Sequence, residues 1–192
     1  QQLPEGVVTV LPSGSEDLLV TRNGDHLTLT GRGLRVPWAR AAEIIVVPIQ
    51  VEEQTFAATV DPDDCQITPM TNMAGEPRDT VDFSQVEAFA APLPSHINLQ
   101  TFRFRGALSR TALMAGAIEK MSQLTVSYTN DRVQFGRPVA KFQAVQQHLV
   151  WGAQDAALAR MAAETAGREA NRGDGAFEIA SAKLIANQAA AL

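Results

Sequence analysis

The sequence predicts an α+β protein in two parts. Residues 1–97 read as an antiparallel β-barrel or sandwich domain, and residues 98–192 as helices of an up-down four-helix bundle that is incomplete in this chain. Two observations carry that reading. As far as Val86, short apolar runs rich in Val, Ile and Thr alternate with turn residues, the signature of strands. After Pro94 the apolar spacing lengthens to the period of a helix.

The strand candidates are Val7–Leu11, Leu18–Thr21, Leu27–Thr30, Ile44–Val47 and Thr55–Val60. Between the second and third lies Arg22-Asn23-Gly24-Asp25, whose Asn-Gly pair supplies the positive φ angles of a tight hairpin. Antiparallel pairing is expected through this half.

In the helical half, Met114, Ile118, Met121, Thr125 and Tyr128 follow steps of four and three, which places them on one face of a helix from about Phe102 to Thr129. Ala112, Ala115, Gly116 and Ala117 around them are small enough for another helix to approach closely. Gly136 then stops the chain. Pro138 is expected to open a second helix, because its missing amide hydrogen has no partner in a first turn.

The second helix carries the stripe Phe142, Val145, Leu149, Gly152, Ala156, Ala159, Ala163 and Ala166, the spacing of a near-parallel bundle seam. Asn171-Arg-Gly-Asp-Gly175 interrupts it with two glycines, and Ala176 to Leu192 resumes helical composition. Three helices where such a bundle commonly has four leave an apolar face to be covered by a partner or by further chain.

Hydrophobic residues make up 45% of the chain and charged residues 19%, so a packed core is affordable and neither disorder nor a fibre is indicated. A net charge of -5 with scattered Lys and Arg gives no basic stripe, and nucleic acid is not an expected partner. No apolar run is long enough for a membrane span, and Gln1-Gln-Leu-Pro-Glu5 lacks the features of a signal peptide. One cysteine, Cys65, excludes an intrachain disulfide and fits a reducing, cytoplasmic compartment. The start without methionine is that expected of an expression product, a processed product or a fragment.

Metal chemistry finds no support. His26, His96 and His148 are far apart in sequence, and Asp61-Pro-Asp63-Asp64 lacks the glycine and distal glutamate of a calcium loop. Cys65 follows that acidic turn, where negative charge raises a thiol's pKa and blunts its nucleophilicity. There is no Gly-x-Ser-x-Gly elbow, no Walker loop and no Gly-x-Gly-x-x-Gly after a strand.

What remains is Arg132-Val-Gln-Phe135-Gly136 at a helix-helix junction. Arg132 offers a planar fork suited to phosphate or pyrophosphate, Phe135 a flat apolar surface, and Gln143 an amide able to pair with a base edge or carbonyl. Those are dinucleotide-recognition chemistries. The competing reading is structural: Arg132 pairs with Asp131 or a bundle carboxylate, and Phe135 plugs the junction.

The pattern Tyr128-x-x-x-Arg132-x-Gln134-Phe135-Gly136-x-Pro138, followed by Phe142-Gln143 and a long alanine-rich helix, resembles the C-terminal helical domain of acyl-CoA dehydrogenases. The likeness reaches back to Ala115-Gly116 and forward to Ala182-Lys183. The β half resembles the family's middle domain more loosely, through Gly24–Gly31, Ala41–Val47 and Val81-Asp-Phe83-Ser-Gln-Val86. The resemblance implies an oligomeric flavoprotein oxidoreductase of lipid metabolism, with FAD bound between subunits and two hydrogens removed from an acyl-CoA substrate. It places Arg132, Phe135 and Gln143 on the flavin nucleotide of a neighbouring subunit.

Departures from the family pattern shape the functional expectation. Arg35-Val36-Pro37 stands where the family usually has Trp-Ile-Thr beside the flavin ring, and Gly106 stands where some relatives carry the glutamate base. Glu119 lies mid-helix, on an expected solvated face. Deprotonation beside a thioester carbonyl needs a carboxylate within reach, so no catalytic residue is assigned. The expected function is that of an acyl-CoA dehydrogenase-like flavoprotein of which this chain is an incomplete copy. The alternatives are a non-catalytic structural subunit that completes a partner's FAD site in a heteromeric acyl-CoA dehydrogenase, and a related flavin oxidase or monooxygenase.

Overall fold

A computed structural model describes residues 6–12, 14, 17–23, 26–173 and 175–191. The described chain divides into two compact units, residues 1–103 and 104–192. The first is a sheet. Its strands are β1 (Val8–Val10), β2 (Leu18–Asn23), β3 (His26–Pro37), β4 (Ile44–Val51), β5 (Gln54–Val60), β6 (Gln66–Thr68) and β7 (Arg78–Pro92). They run in the order β1-β4-β5-β7-β3-β2, with β6 paired to β7.

The α+β class is borne out, with one correction to the sheet. β1 pairs parallel to β4, Val8 opposite Ile44, so the sheet is mixed rather than antiparallel, and its described strands form no closed barrel. A crossover through β2 and β3 separates the two strands in sequence, and that leaves room for a parallel return. β2 and β3 pair antiparallel from Leu18 opposite Gly31 to Asn23 opposite His26, while the Gly24-Asp25 turn itself lies outside the described residues.

The core follows from alternation. Ile45, Val47 and Ile49 of β4, Leu27 and Leu29 of β3, and Val81 and Phe83 of β7 point inward and are buried. On β7 the inward set slips from Phe83 to Val86. Two steps of β3, from Leu29 to Gly31, face three steps of β7, from Val86 to Phe83, and Gln85 adopts φ 54, which is a β-bulge. A second bulge lies on β3 between Gly33 and Val36, where Arg35 adopts φ 57.

Beyond that bulge, Trp38 also has a positive φ of 54 and leads into a 3₁₀ turn over Ala39–Ala41. The turn is clamped by an ion pair whose carboxylate is buried and whose guanidinium is partly exposed. Asp79, fully buried, accepts from the Arg40 guanidinium, from the Arg40 amide at 3.0 Å and from the Met70 amide at 3.0 Å. Arg40 also donates to the Met70 carbonyl at 2.7 Å. Burial alone raises the Asp79 carboxyl's pKa; the hydrogen bonds from Arg40 and Met70 outweigh it and hold the group below the usual carboxylate range.

Cys65 is half-buried after the 3₁₀ turn Pro62–Asp64. Burial, then the charges of Asp64 and Asp61, push its thiol up to about 11, so it is protonated and unreactive at neutral pH.

The second unit is helical. α1 (Leu99–Asp131) is about 50 Å long by the α-helical rise, and is followed by α2 (Gln143–Arg172) and α3 (Ala176–Ala189). Asn98 caps α1 by accepting from the Thr101 amide at 3.0 Å. The seam expected on α2 is borne out: apart from exposed Gly152, its eight positions are buried or half-buried. It meets α1 through Ala115, Ile118, Ala156 and Ala159, and α3 through Ala166, Ala170, Ile179 and Ala182.

The face expected on α1 is corrected. Its buried residues are Thr111, Ala115, Ile118 and Thr129, while Met121 and Tyr128 are exposed. α1 meets the alanines of α2 locally, at Ala115 and Ile118, and its larger apolar side chains lie off that contact. Leu113, Leu124 and Val126 of α1 and Trp151, Leu158 and Met161 of α2 are likewise exposed.

Arg105 donates to the Ala170 carbonyl at 3.0 Å, satisfying one carbonyl near the C-terminal end of α2. Among the described residues no helix is long and apolar enough to cross a membrane, and no cluster of three or more His, Cys, Asp or Glu is placed to hold a metal ion.

Candidate functional site

Between α1 and α2 the chain does not go straight from helix to helix. Val133–Gln134 (β8) and Arg137–Pro138 (β9) form a small antiparallel hairpin, Val133 opposite Pro138 and Gln134 opposite Arg137. Its two-residue loop is Phe135-Gly136, with φ angles of 52 and 77, the conformation of a type I′ turn. Pro138 therefore closes a strand and precedes a 3₁₀ turn at Val139–Lys141; α2 opens at Gln143, five residues later than the sequence suggests. The Val139 amide donates to the Arg132 carbonyl at 2.8 Å and locks the hairpin's base.

Gly136 suits its place in this turn, but Phe135 does not. Asn, Asp or Gly is preferred at the first loop position, and a bulky side chain at positive φ is strained by about 1 kcal/mol or more. The ring gains no burial in return, being 92% exposed. The expectation that Phe135 plugs the junction fails on this point. Its one described aromatic contact is an edge-to-face arrangement with Phe142, ring centres 6.2 Å apart. On Phe142, in turn, lies the Arg137 guanidinium, 4.2 Å from the ring centre.

Arg132 is exposed at the end of α1, and among the described residues nothing bonds to its guanidinium, neither Asp131 nor a bundle carboxylate. Gln143 is exposed in the first turn of α2. That turn has no side-chain cap, so its amide donors face outward at the positive end of a 30-residue helix. The hairpin links the segments that carry these groups: the Arg132 carbonyl accepts from the Val139 amide, and the Phe135 ring meets Phe142, the residue preceding Gln143. A cationic fork, a flat apolar ring, an amide and free helix-terminal amides suit an anionic, aromatic ligand, the chemical make-up of a flavin dinucleotide.

The hairpin had a signal in the sequence. Gly136 suits the second position of a two-residue hairpin loop, but Phe135 does not suit the first, and Pro138 obscured the turn further by also suiting a helix start.

The other predicted positions are dispersed. Gly106 is exposed on α1 with open space where a Cβ would lie. Glu119 is half-buried rather than solvated, in a shallow depression shared with Ala156 and Arg160. In the sheet unit Val36 is buried, while Arg35 and Trp38 are exposed.

Residues 102–192 match the family described as acyl-CoA dehydrogenase, C-terminal domain. Acyl-CoA dehydrogenase FadE27 of Mycobacterium tuberculosis is 49% identical over 45 residues, 23% of this chain and 12% of that protein. Among solved structures, the ChsE4-ChsE5 complex from Mycobacterium tuberculosis matches 96% of this chain and 52% of its own with a TM-score of 0.83 at 24% identity. A glutaryl-CoA dehydrogenase from Mycobacterium smegmatis in complex with FADH2 matches 97% of this chain and 53% of its own, with a TM-score of 0.81 at 17% identity. The chain thus spans about half the length of these solved structures and a smaller share of FadE27. Its fold is that of the acyl-CoA dehydrogenases, and the family match over residues 102–192 and the curated relatives both indicate the acyl-CoA dehydrogenase family.

Proposed function

We propose that this chain is part of an FAD-dependent acyl-CoA dehydrogenase-type flavoprotein, and that the Val133–Pro138 hairpin and the start of α2 hold the flavin nucleotide of a neighbouring subunit. The observation that carries the proposal is Phe135: a strained aromatic displayed in solvent, three residues after an arginine whose guanidinium has no bonding partner among the described residues. Arg132 is placed to pair with pyrophosphate, Phe135 to lie against an aromatic portion of the nucleotide, and Gln143 to meet a polar edge. Bound FAD supplies the chemistry, accepting two hydrogens from the α and β carbons of an acyl-CoA. The residues of this chain bind and orient, and none of them is assigned as the base. The apolar side chains exposed on α1 and α2 suit coverage by further helices or a second subunit.

Arg132→Ala is expected to weaken FAD binding in the intact assembly by about 1.5–3 kcal/mol, the range for a charge-assisted hydrogen bond. FAD titration followed by flavin fluorescence reads this directly. An unchanged affinity removes Arg132 from the site.

A second reading is a non-catalytic subunit that completes a partner's FAD site. It is favoured by Arg35-Val36-Pro37, since a buried Val36 and a proline offer neither an aromatic ring nor a hydroxyl to a flavin on this chain's own sheet unit. ChsE4-ChsE5, a structural relative, is itself a complex. The flavin absorption spectrum of this protein, alone and mixed with candidate partner subunits, separates the readings. Flavin bound by this protein alone refutes the second; flavin bound only in a mixture supports it.

A further inference from the structure

We propose that the stack of Arg137 on Phe142 is the positioning device that holds Phe135 in its displayed, left-handed conformation; the inference rests on the flavin reading of the hairpin and goes beyond it to two residues that need not touch the ligand. A two-stranded hairpin of this length does not hold itself together in water. Here it must also carry a phenylalanine at φ 52, where the local preference opposes it.

The compensating contacts are on one side of the loop. The Phe135 ring meets the Phe142 ring edge-to-face, and the Arg137 guanidinium covers that same ring at 4.2 Å. Arg137 lies on β9 opposite Gln134, so its stacking ties the second strand to the residue that precedes α2. Phe142 is half-buried and anchored by its amide, which donates to the Val139 carbonyl at 3.1 Å. The helix start thus serves as the fixed point and the hairpin as the part held against it. The aromatic pair and the cation–π contact are each of the order needed to offset the strain at Phe135.

If the stack maintains the binding-competent conformer, removing it lowers the population of that conformer, and apparent FAD affinity falls in proportion. In the intact assembly, Phe142→Leu is expected to weaken FAD binding roughly tenfold and Arg137→Gln roughly threefold. Phe142→Tyr and Arg137→Lys, which keep an aromatic face and a cation, are expected to restore most of each loss. Independently of FAD, exchange of the Val139 amide in the flavin-free protein is expected to accelerate in Phe142→Leu and to return towards the parent rate in Phe142→Tyr. Arg137 is exposed, so its variants test the idea without risk to folding. Parent-like affinity and exchange in Phe142→Leu and Arg137→Gln, while Phe135→Ala still weakens FAD, overturns this inference and leaves the flavin reading standing. Parent-like affinity in Phe135→Ala overturns both.

Discussion

Asp79→Asn is expected to lower the stability of the sheet unit by about 2–3 kcal/mol, a fall on the order of 10 °C in its melting temperature. The carboxylate is fully buried and receives two backbone amides as well as the Arg40 guanidinium. Asparagine keeps the shape and loses the charge, and its amide nitrogen turns a second donor towards donors. Breaking a fully buried pair costs more than this; the one-third exposure of the Arg40 side chain, at 36%, brings the figure down.

The same site sets a pH dependence. The folded carboxyl titrates below its unfolded value, so its contribution is complete above the ordinary carboxylate range. It is lost as pH falls through the folded pKa. Denaturant melts of the parent and the Asn variant should therefore converge as the solution is acidified. A difference that persists undiminished in acid contradicts the assignment. The clamp ties the Ala39–Ala41 turn, which follows the left-handed residues Arg35 and Trp38, to β7 through Asp79.

Gly175→Ala is expected to destabilise the helical unit by about 2–3 kcal/mol. A Cβ at this position lies 2.6 Å from the Ala170 amide nitrogen and 2.9 Å from the Ala170 Cα, both backbone atoms of the last turns of α2. Nothing flexible can yield, so α3 must shift and the Ala166, Ala170, Ile179 and Ala182 cluster must open. Gly116→Ala is the matched control. It sits inside α1 with open space around its Cβ, and gains up to about 0.5–1 kcal/mol from helix propensity. Thermal melts showing the two variants shifted in opposite directions bear this out; equal shifts refute it.

Features that depend on local chemistry were legible in the sequence. The α2 seam was read correctly because its alanines repeat at bundle spacing over many turns. Arg132, Phe135 and Gln143 stood out as a group because no simpler motif competed with them.

Features that depend on a partner were not legible. Alternation shows that Val8–Val10 is a strand but says nothing about the direction of the strand it joins, so its parallel pairing with β4 was invisible. On α1, large apolar residues occur around the helix, so spacing alone does not mark out Thr111, Ala115, Ile118 and Thr129 as the buried set. The bulges place Arg35 and Gln85, neither of them a glycine, at positive φ, and that hid the full length of β3 and β7.

The central claim is that the hairpin displays Phe135 to a flavin nucleotide at the expense of its own turn. Phe135→Asn tests it most directly, because asparagine is favoured at this loop position and lacks the ring. FAD titration of the intact assembly, run beside hydrogen exchange of the Val139 amide in the flavin-free protein, gives both halves of the answer. The account predicts a hairpin at least as protected as the parent's and an FAD affinity weakened roughly tenfold. A firmer hairpin that binds FAD as tightly as the parent contradicts it.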